Sequence, residues 1–261
     1  MGRLISFSGF DAYYSKTSIE SSFVNGTILD TNILISLMYE VKLTHDEIVN
    51  FLDEKIVGNG ISCYTNVITT AEFLNIFRRI LLTEHLCDSI DEFSKLNFPK
   101  KSKYLIKRLY GEYKHRFDHE KKDIIFAESH LKQIRDTFSG SAHSGLKPWP
   151  ELTQELLGDE LEVVYKAYEK AGIIYISPNE DNQKHYFNKK MIWEDTIKIS
   201  ASSGLAIFDA MILNALQCSH FSFLITADAD IAYATLANCE IKDVVVPDSI
   251  FKEMKKYNFK I

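Results

Sequence analysis

The stretch GTILDTNILI, residues 26–35, sets an acidic residue between two apolar runs. Residues 27–30 have the apolar and β-branched character of a short buried strand, and the run from Ile33 to Tyr39 predicts a helix directly after it. Burying a carboxylate without a partner is costly. Asp30 therefore either caps the helix that follows, which Asp does well, or faces a partner that the fold brings to the end of this strand.

Strand-like and helix-like segments alternate along the rest of the chain. Four further segments have the character of short strands, and they are ISCYT (61–65), GIIYIS (172–177), FSFLITAD (221–228) and DVVVPD (243–248). Helical periodicity recurs between them, at residues 67–82, 189–200, 205–217 and 229–237. Strands that alternate with helices form mainly parallel sheets covered on both faces. The sequence therefore predicts an α/β fold with a mainly parallel central sheet.

The sequence pattern divides the chain into a sheet-forming part and a helical insertion. Residues 1–25 show no clear period, and we interpret them as an N-terminal leader that packs on the domain surface. The predicted strands lie in residues 26–83 and 166–261, and the predicted helical insertion is residues 84–165.

Composition limits the class of protein. The 261 residues are 46% hydrophobic and 25% charged, with a net charge of −6, which is typical of a globular chain with a substantial core. The four cysteines form no CxxC pair, which favours reduced thiols over a disulfide framework or a zinc site. No run of about 18 apolar residues predicts a membrane span, and the first residues lack the apolar core of a signal peptide. We therefore expect a cytoplasmic protein.

Four acids interrupt apolar segments in comparable settings. Asp30 and Asp228 each end a predicted strand, and ligands in open parallel sheets gather at the carboxyl ends of strands. Glu72 and Asp209 each lie in the first two turns of a predicted helix, where the helix dipole favours negative charge. With short connections all four lie at one edge of the sheet. The alternatives are ordinary ones, since Glu72 fits an exposed helix position and both Asp228 and Asp230 fit caps of the helix at 229–237.

A cluster of four carboxylates requires either protonation or a cation. Mg²⁺ and Mn²⁺ prefer carboxylate oxygens and retain several waters. Such an ion can activate a water and stabilise charge on a phosphate during in-line displacement. The pattern therefore predicts that Asp30, Glu72, Asp209 and Asp228 bind Mg²⁺ or Mn²⁺ and act on a phosphodiester.

The order and context of these acids resemble the PIN-domain nucleases. The four stretches that carry the resemblance are LDTNILI (29–35), TTAEFLNIF (69–77), IFDAMILNAL (207–216) and LITADADI (224–231). The resemblance covers about residues 27–82 and 172–248. It implies a Rossmann-like α/β/α domain that cleaves RNA with Mg²⁺ or Mn²⁺. It also implies that Asn32 and Thr226 shape the site through hydrogen bonds and that Asp230 is an auxiliary acid and metal ligand.

The resemblance has further implications for activity and partners. It implies a metal-activated water that leaves a 5′-phosphate and a 3′-hydroxyl, with Asp209 or Glu72 orienting the water. It suggests a toxin-like or defence-associated endoribonuclease whose partners are an RNA substrate, an antitoxin or inhibitor protein and a second copy of the chain. The alternative is a catalytically inactive PIN-like RNA-binding or scaffold protein. Compact PIN domains have only a short helical hairpin where this chain has its long insertion.

Two other phosphoryl-transfer families use similar short motifs. Haloacid-dehalogenase-like phosphatases require a second Asp two residues after the first, and this chain has Asn32 at that position. Toprim-type domains use a Glu with a DxD motif, which Asp228 and Asp230 fit, but they leave Asp30 and Asp209 unexplained. Both families therefore fit this sequence less well.

The insertion has a basic segment that reads as one long charged helix over 101–135 or as two helices meeting near Gly111. Between Lys100 and Arg135 there are eleven Lys or Arg and five Asp or Glu. Such a surface, interleaved with aromatics, is able to hold an RNA backbone and stack bases. The candidate RNA contacts are Lys103, Lys107, Arg108, Lys114 and Arg116. The alternative is a solvated face, with Leu105, Leu109, Tyr113 and Phe117 forming the packing stripe of the same helix.

Overall fold

The computed structural model describes residues 2–16, 25–90, 98–120, 122–139, 147–177, 183–238 and 240–257. The chain forms two compact units. The first comprises residues 1–73 and 167–261, and the second comprises residues 74–166. The division thus falls about ten residues before the predicted boundary at 83 and close to the predicted boundary at 165.

The first unit is built on one six-stranded sheet in which every pairing is parallel. This confirms the predicted α/β fold class. The strand order is β1-β6-β5-β2-β3-β4. The strands are β1 (Leu4–Ser6), β2 (Gly26–Leu29), β3 (Ser62–Asn66), β4 (Ile174–Ile176), β5 (Phe223–Ile225) and β6 (Asp243–Val246).

Helices connect the strands, as in a Rossmann-like α/β/α fold. They are α1 (Phe10–Tyr14), α2 (Thr31–Met38), α3 (His45–Phe51), α4 (Val67–Asp88), α5 (Lys100–Glu120), α6 (Glu128–Asp136), α7 (Trp149–Leu157), α8 (Glu160–Lys170), α9 (Gln183–Tyr186), α10 (Trp193–Ser203), α11 (Ile207–Cys218), α12 (Ala229–Ala237) and α13 (Asp248–Met254). Within the ranges described, no single helix is long and apolar enough to cross a membrane. Only α10 and α11 taken together pass that test, and they are bent by 118°.

The strand order reverses direction between β2 and β5. From β2 the chain adds β3 and then β4 on one side, whereas β5 and β6 lie on the other side. In open parallel sheets such a reversal opens a crevice beyond the carboxyl ends of the two central strands, and ligands bind there. The stretch GTILDTNILI supplies β2 and the start of α2, so Asp30 lies at this crevice.

The N-terminal segment differs from the predicted surface leader. Leu4–Ser6 forms the edge strand β1, which pairs with β6. Arg3 reinforces this pairing, because its guanidinium lies 2.8 Å from a carboxylate oxygen of Asp243. Phe10 of α1 is fully buried. The segment therefore completes the sheet, and it lacks a visible period because its described elements are only three to five residues long.

Alternate side chains of the central strands pack on opposite faces of the sheet. Leu224 of β5 joins a core with Leu213 and Leu216 of α11. Its neighbour Phe223 instead contacts Phe10, with ring centroids 5.5 Å apart. This is the two-residue period of a strand that is buried on both faces.

The end of α11 is fixed by one lysine. Lys242 Nζ donates hydrogen bonds to the carbonyl oxygens of Leu216, Ser219 and Phe221 at 2.9, 2.7 and 3.0 Å. Carbonyl groups at a helix C-terminus have no partner within the helix, and a lysine there satisfies them. Burial lowers the pKa of Lys242 to about 8.

The second unit has its own apolar core. Ile106 and Leu109 of α5 pack with Phe126, Leu131 and other buried residues of the same unit. α5 continues through Gly111 and ends at Glu120, and α6 begins only at Glu128, so the prediction of one helix over 101–135 and the alternative of two helices meeting at Gly111 are both wrong. A glycine costs about 1 kcal/mol in a helix interior, and the apolar residues on either side offset this by their burial.

Candidate active site

The four predicted acids come together at the crevice between β2 and β5. Asp30 follows β2 directly, and Asp228 follows β5 and precedes α12. Glu72 lies in the second turn of α4 and Asp209 in the first turn of α11. Burial raises the pKa values of both Asp30 and Asp209, and the negative charges of Asp228 and Glu72 add to this shift. These acids are therefore close enough to act on one another.

Asp30 is a buried carboxylate with two fixed donors. The residue is only 2% exposed. One oxygen accepts a hydrogen bond from the backbone N–H of Thr31 at 2.7 Å, and the other accepts one from the hydroxyl of Thr226 at 2.6 Å. Burial, assisted by the charges of Asp228 and Glu72 and opposed by the two hydrogen bonds, raises the pKa of Asp30 to about 7.

Thr31 links two of the acids and was not identified from the sequence. Its backbone N–H binds Asp30, and its hydroxyl donates to Glu72 Oε2 at 2.7 Å. Thr31 is buried. The only sequence signal for this role was that a hydroxyl residue directly follows the strand-end acid. That signal did not show that Glu72 lies across the crevice.

Asp228 performs the capping role that the sequence left open. Its Oδ1 accepts hydrogen bonds from the backbone N–H groups of Asp230 and Ile231 at 2.7 and 3.2 Å, so it caps α12. Its Oδ2 accepts a bond from Asn32 Nδ2 at 3.4 Å. Thr226 Oγ1 accepts from the backbone N–H of Asp228 at 2.9 Å. Asn32 therefore bonds Asp228, and Thr226 bonds both Asp30 and Asp228.

The remaining two acids differ in their surroundings. Asp209 is half-buried, and burial followed by the charges of Asp228, Glu72 and Asp230 raises its pKa to about 6. Its carboxylate accepts no hydrogen bond from any residue in the part of the chain that the structure describes. Asp230 is exposed in the first turn of α12. Its charge reaches Asp209, but its side chain lies at the rim of the cluster.

The donor set matches a hard divalent cation in its chemistry. All four acids supply oxygen ligands. Asp30 uses one lone pair on each oxygen, and each carboxylate oxygen has a second one. The neighbouring charges that raise the pKa values of Asp30 and Asp209 are all those of carboxylates. A bound cation would lower those pKa values again. Within the described ranges, however, no three His, Cys, Asp or Glu side chains form a group that could hold one ion.

The predicted basic surface lies on α5 in the second unit. Lys107, Arg108, Lys114 and Arg116 are exposed, whereas Lys103 is half-buried. Exposed Tyr104 lies on the same side of the helix as Lys107 and Arg108, at spacings of three and four residues. The predicted stripe of Leu105, Leu109, Tyr113 and Phe117 faces away from solvent, with Leu109 fully buried. α5 is therefore amphipathic, and its exposed side carries these basic residues together with Glu112, which pairs with Arg108 at 3.7 Å.

Thiol chemistry does not compete with this site. Cys63, Cys87 and Cys218 are free, and the fourth cysteine, Cys239, lies outside the described residues. Burial raises the pKa of the Cys63 and Cys87 thiols to about 12, which makes both poor nucleophiles.

Comparisons of the chain with protein-family models, with curated proteins and with solved structures found no match. Function is therefore argued from the acids at the crevice and from the sequence order in which they occur.

Proposed function

We propose that this chain is a PIN-like endoribonuclease that hydrolyses RNA phosphodiester bonds with Mg²⁺ or Mn²⁺. The observation that carries the proposal is Asp30, a buried carboxylate at the crevice whose pKa is raised by burial and by two neighbouring acids. A protein that keeps such a group accepts a cost in stability. A bound cation removes that cost and gives the buried charge a function.

Asp30, Glu72, Asp209 and Asp228 are the residues that would hold the cation. When bound, the cation supplies positive charge that offsets the carboxylates and stabilises charge developing on a phosphate. Thr226, Thr31 and Asn32 orient three of these carboxylates through the hydrogen bonds described above. Asp230 stands beside them as an auxiliary acid.

Asp209 is the best placed of the acids to accept a proton. Its carboxylate accepts no hydrogen bond from the residues that the structure describes, so its oxygens are open to a water. Glu72, by contrast, already accepts a hydrogen bond from Thr31. In the proposed reaction a water oxygen bonds to phosphorus and one proton passes to a carboxylate oxygen of Asp209. The phosphorus–O3′ bond then breaks, and the leaving O3′ takes up a proton from solvent water, which gives a 5′-phosphate and a 3′-hydroxyl.

The decisive test is cleavage by the purified protein. A mixed-sequence RNA and the equivalent single-stranded DNA are incubated with Mn²⁺, with Mg²⁺ and with EDTA. The variants are Asp30→Asn and Asp209→Asn, and the matched control is Asp53→Asn, which changes an exposed acid outside the crevice. We expect metal-dependent RNA cleavage in the wild type and the control, and at least a hundredfold loss in both crevice variants.

Two outcomes would contradict the proposal. RNA cleavage that persists in EDTA or in Asp30→Asn would show that the reaction does not depend on a metal held by these acids. Absence of both cleavage and Mn²⁺ binding would remove the metal site itself. A cation that binds only the folded state must raise the melting temperature in proportion to its affinity, so a melting curve with and without Mn²⁺ measures the binding separately from the cleavage.

The second candidate is a PIN-like RNA-binding or scaffold protein without catalysis. The basic face of α5 favours it, because Tyr104 with Lys107 and Arg108 is able to contact RNA whether or not the crevice cleaves it. Salt-dependent RNA binding, with no cleavage in any metal, would select this alternative.

The proposed biology follows from the family resemblance alone. A toxin-like or defence-associated nuclease in the cytoplasm would be restrained by an antitoxin or inhibitor protein, and it could act as a homodimer. Expression of the wild type beside Asp30→Asn tests this. Equal growth of both strains, with no co-purifying inhibitor, would count against a toxin.

A further inference from the structure

A cavity of about 560 Å³ lies in the first unit at the carboxyl ends of β3 and β4. This is within the range of small-ligand sites, roughly 300 to 1,000 Å³. It opens on the same edge of the sheet as the acid crevice, because all strands are parallel. The pairing of β2 with β3 aligns Ile28 with Tyr64. Continuing that register by two residues places Asn66, which lines the cavity, beside Asp30.

Asn66 contributes a buried donor that the described protein leaves unused. The residue is 7% exposed. Its Oδ1 caps α4 by accepting hydrogen bonds from the N–H groups of Ile68 and Thr69 at 2.9 and 3.2 Å, which fixes the orientation of the amide. Its Nδ2 has no hydrogen-bond partner among the described residues. A buried donor without a partner is rare and costs about 1–3 kcal/mol, so a ligand with a hydrogen-bond acceptor would remove that cost.

The other walls combine an apolar surface with free positive charge. Ile68 and Ile176 form part of the floor, and Phe187 adds an aromatic ring. Three lysines also line the cavity, and they are Lys184, Lys189 and Lys190. All three are exposed, and none forms an ion pair within the described part of the chain.

The segment that carries these residues is held in place. Phe187 forms a bridge with Ser219, and the backbone N–H of Asn188 donates to the carbonyl of Cys218 at 2.9 Å. Asn188 Nδ2 adds a bond to the carbonyl of Ser219 at 3.2 Å. The lysines therefore project from a segment that is anchored to the end of α11, which lowers the cost of ordering them around a ligand.

From these features we infer that the cavity is a nucleotide subsite, which takes one base and its adjoining phosphate of an RNA strand. The base lies on the apolar wall with Phe187, and a carbonyl or ring nitrogen of the base accepts a hydrogen bond from Asn66 Nδ2. The phosphate lies among the three lysines, where released counterions favour its binding. The role of this subsite in positioning RNA beside Asp30 rests on the proposed nuclease function.

The test measures nucleotide binding and not cleavage. Each of the four ribonucleoside 5′-monophosphates, and inorganic phosphate alone, is titrated into the full chain in EDTA, by calorimetry at low and high salt. The same titrations are run on Asp30→Asn, in which the nuclease site is disabled. We expect at least one nucleotide to bind at least tenfold more tightly than phosphate, in both proteins alike.

Three variants address the subsite itself. Asn66→Asp keeps the oxygen that caps α4 and replaces the amide donor by a charged acceptor, so it should lower nucleotide affinity at least tenfold. Asn66→Ser keeps a capping oxygen without the added charge and should lower the affinity about tenfold with little change in melting temperature. Lys184→Ala combined with Lys190→Ala should lower it by a similar factor and reduce its salt dependence. The matched control is Lys252→Ala, which removes an exposed lysine from α13.

The outcomes separate this inference from the proposed nuclease. Nucleotide binding that is lost in the variants supports the subsite even if the protein cleaves no RNA. RNA cleavage whose KM is the same in wild type, Asn66→Asp and the lysine variant, together with absent nucleotide binding, would overturn the subsite and leave the nuclease intact. Phosphate that binds as tightly as every nucleotide would also overturn it, because no base would then be recognised.

Discussion

Replacing Asp30 by Asn should stabilise the metal-free protein at neutral and alkaline pH. Burial raises the pKa of this carboxyl to about 7 in the folded protein, from an ordinary value of 3.8. The folded state therefore holds this proton at pH values where the unfolded chain has released it. The stability that this proton contributes is complete below pH 3.8 and is lost as the pH rises through about 7.

The size of the change in stability follows from the difference between the two pKa values. About three pH units at about 1.4 kcal/mol each come to about 4 kcal/mol, which is the upper limit for the cost of the buried charge. Asn at this position keeps one acceptor oxygen, whereas Thr31 and Thr226 both donate to the carboxylate. One lost hydrogen bond costs about 1–2 kcal/mol. The expected net gain for Asp30→Asn is therefore about 2–3 kcal/mol at pH 8.

The assay is urea unfolding of wild type and Asp30→Asn in EDTA at pH values from 4 to 8. Asp209 titrates in the same direction, so the difference between the two proteins isolates Asp30. We expect the wild type to lose stability relative to Asp30→Asn as the pH rises, and Mn²⁺ to restore the wild type alone. If the two proteins showed equal stability at pH 8 and parallel pH profiles, the burial argument for Asp30 would be refuted.

Three further predictions concern other parts of the molecule. Thr226→Val removes the hydroxyl that donates to Asp30, so the pKa of Asp30 should rise above about 7 and Mn²⁺ affinity at pH 7 should fall about tenfold; Thr226→Ser should restore both, and an unchanged Mn²⁺ titration would contradict this. Lys242→Met removes three hydrogen bonds at the end of α11 and should cost about 2–4 kcal/mol in urea unfolding, whereas a loss below about 1 kcal/mol would show that these bonds stabilise little. Tyr104→Ala removes a side chain of a residue that is 73% exposed and should weaken single-stranded RNA binding about tenfold with little change in stability; equal affinity in a fluorescence anisotropy titration would remove Tyr104 from the RNA surface.

The fold class was readable from the sequence because it depends on local patterns. Apolar runs of strand length that alternate with helical periodicity report burial on each segment, and parallel strands need helical crossovers between them. The edge strand β1 was missed because its three residues show no period of their own. Its pairing with β6 joins positions about 240 residues apart, and nothing local reports such a contact.

The features of the candidate site also divide into those that the sequence determines and those that depend on the tertiary structure. The sequence by itself determined which acids end strands or begin helices, and hence that Asp30, Glu72, Asp209 and Asp228 belong to one edge of the sheet. Only the tertiary structure decided that Asp30 is buried, that Thr31 joins it to Glu72, and that Asn66 keeps an unused donor beside a cavity. The physical reason is that desolvation, charge repulsion and hydrogen-bond completion depend on groups that are distant in the chain and adjacent only after folding.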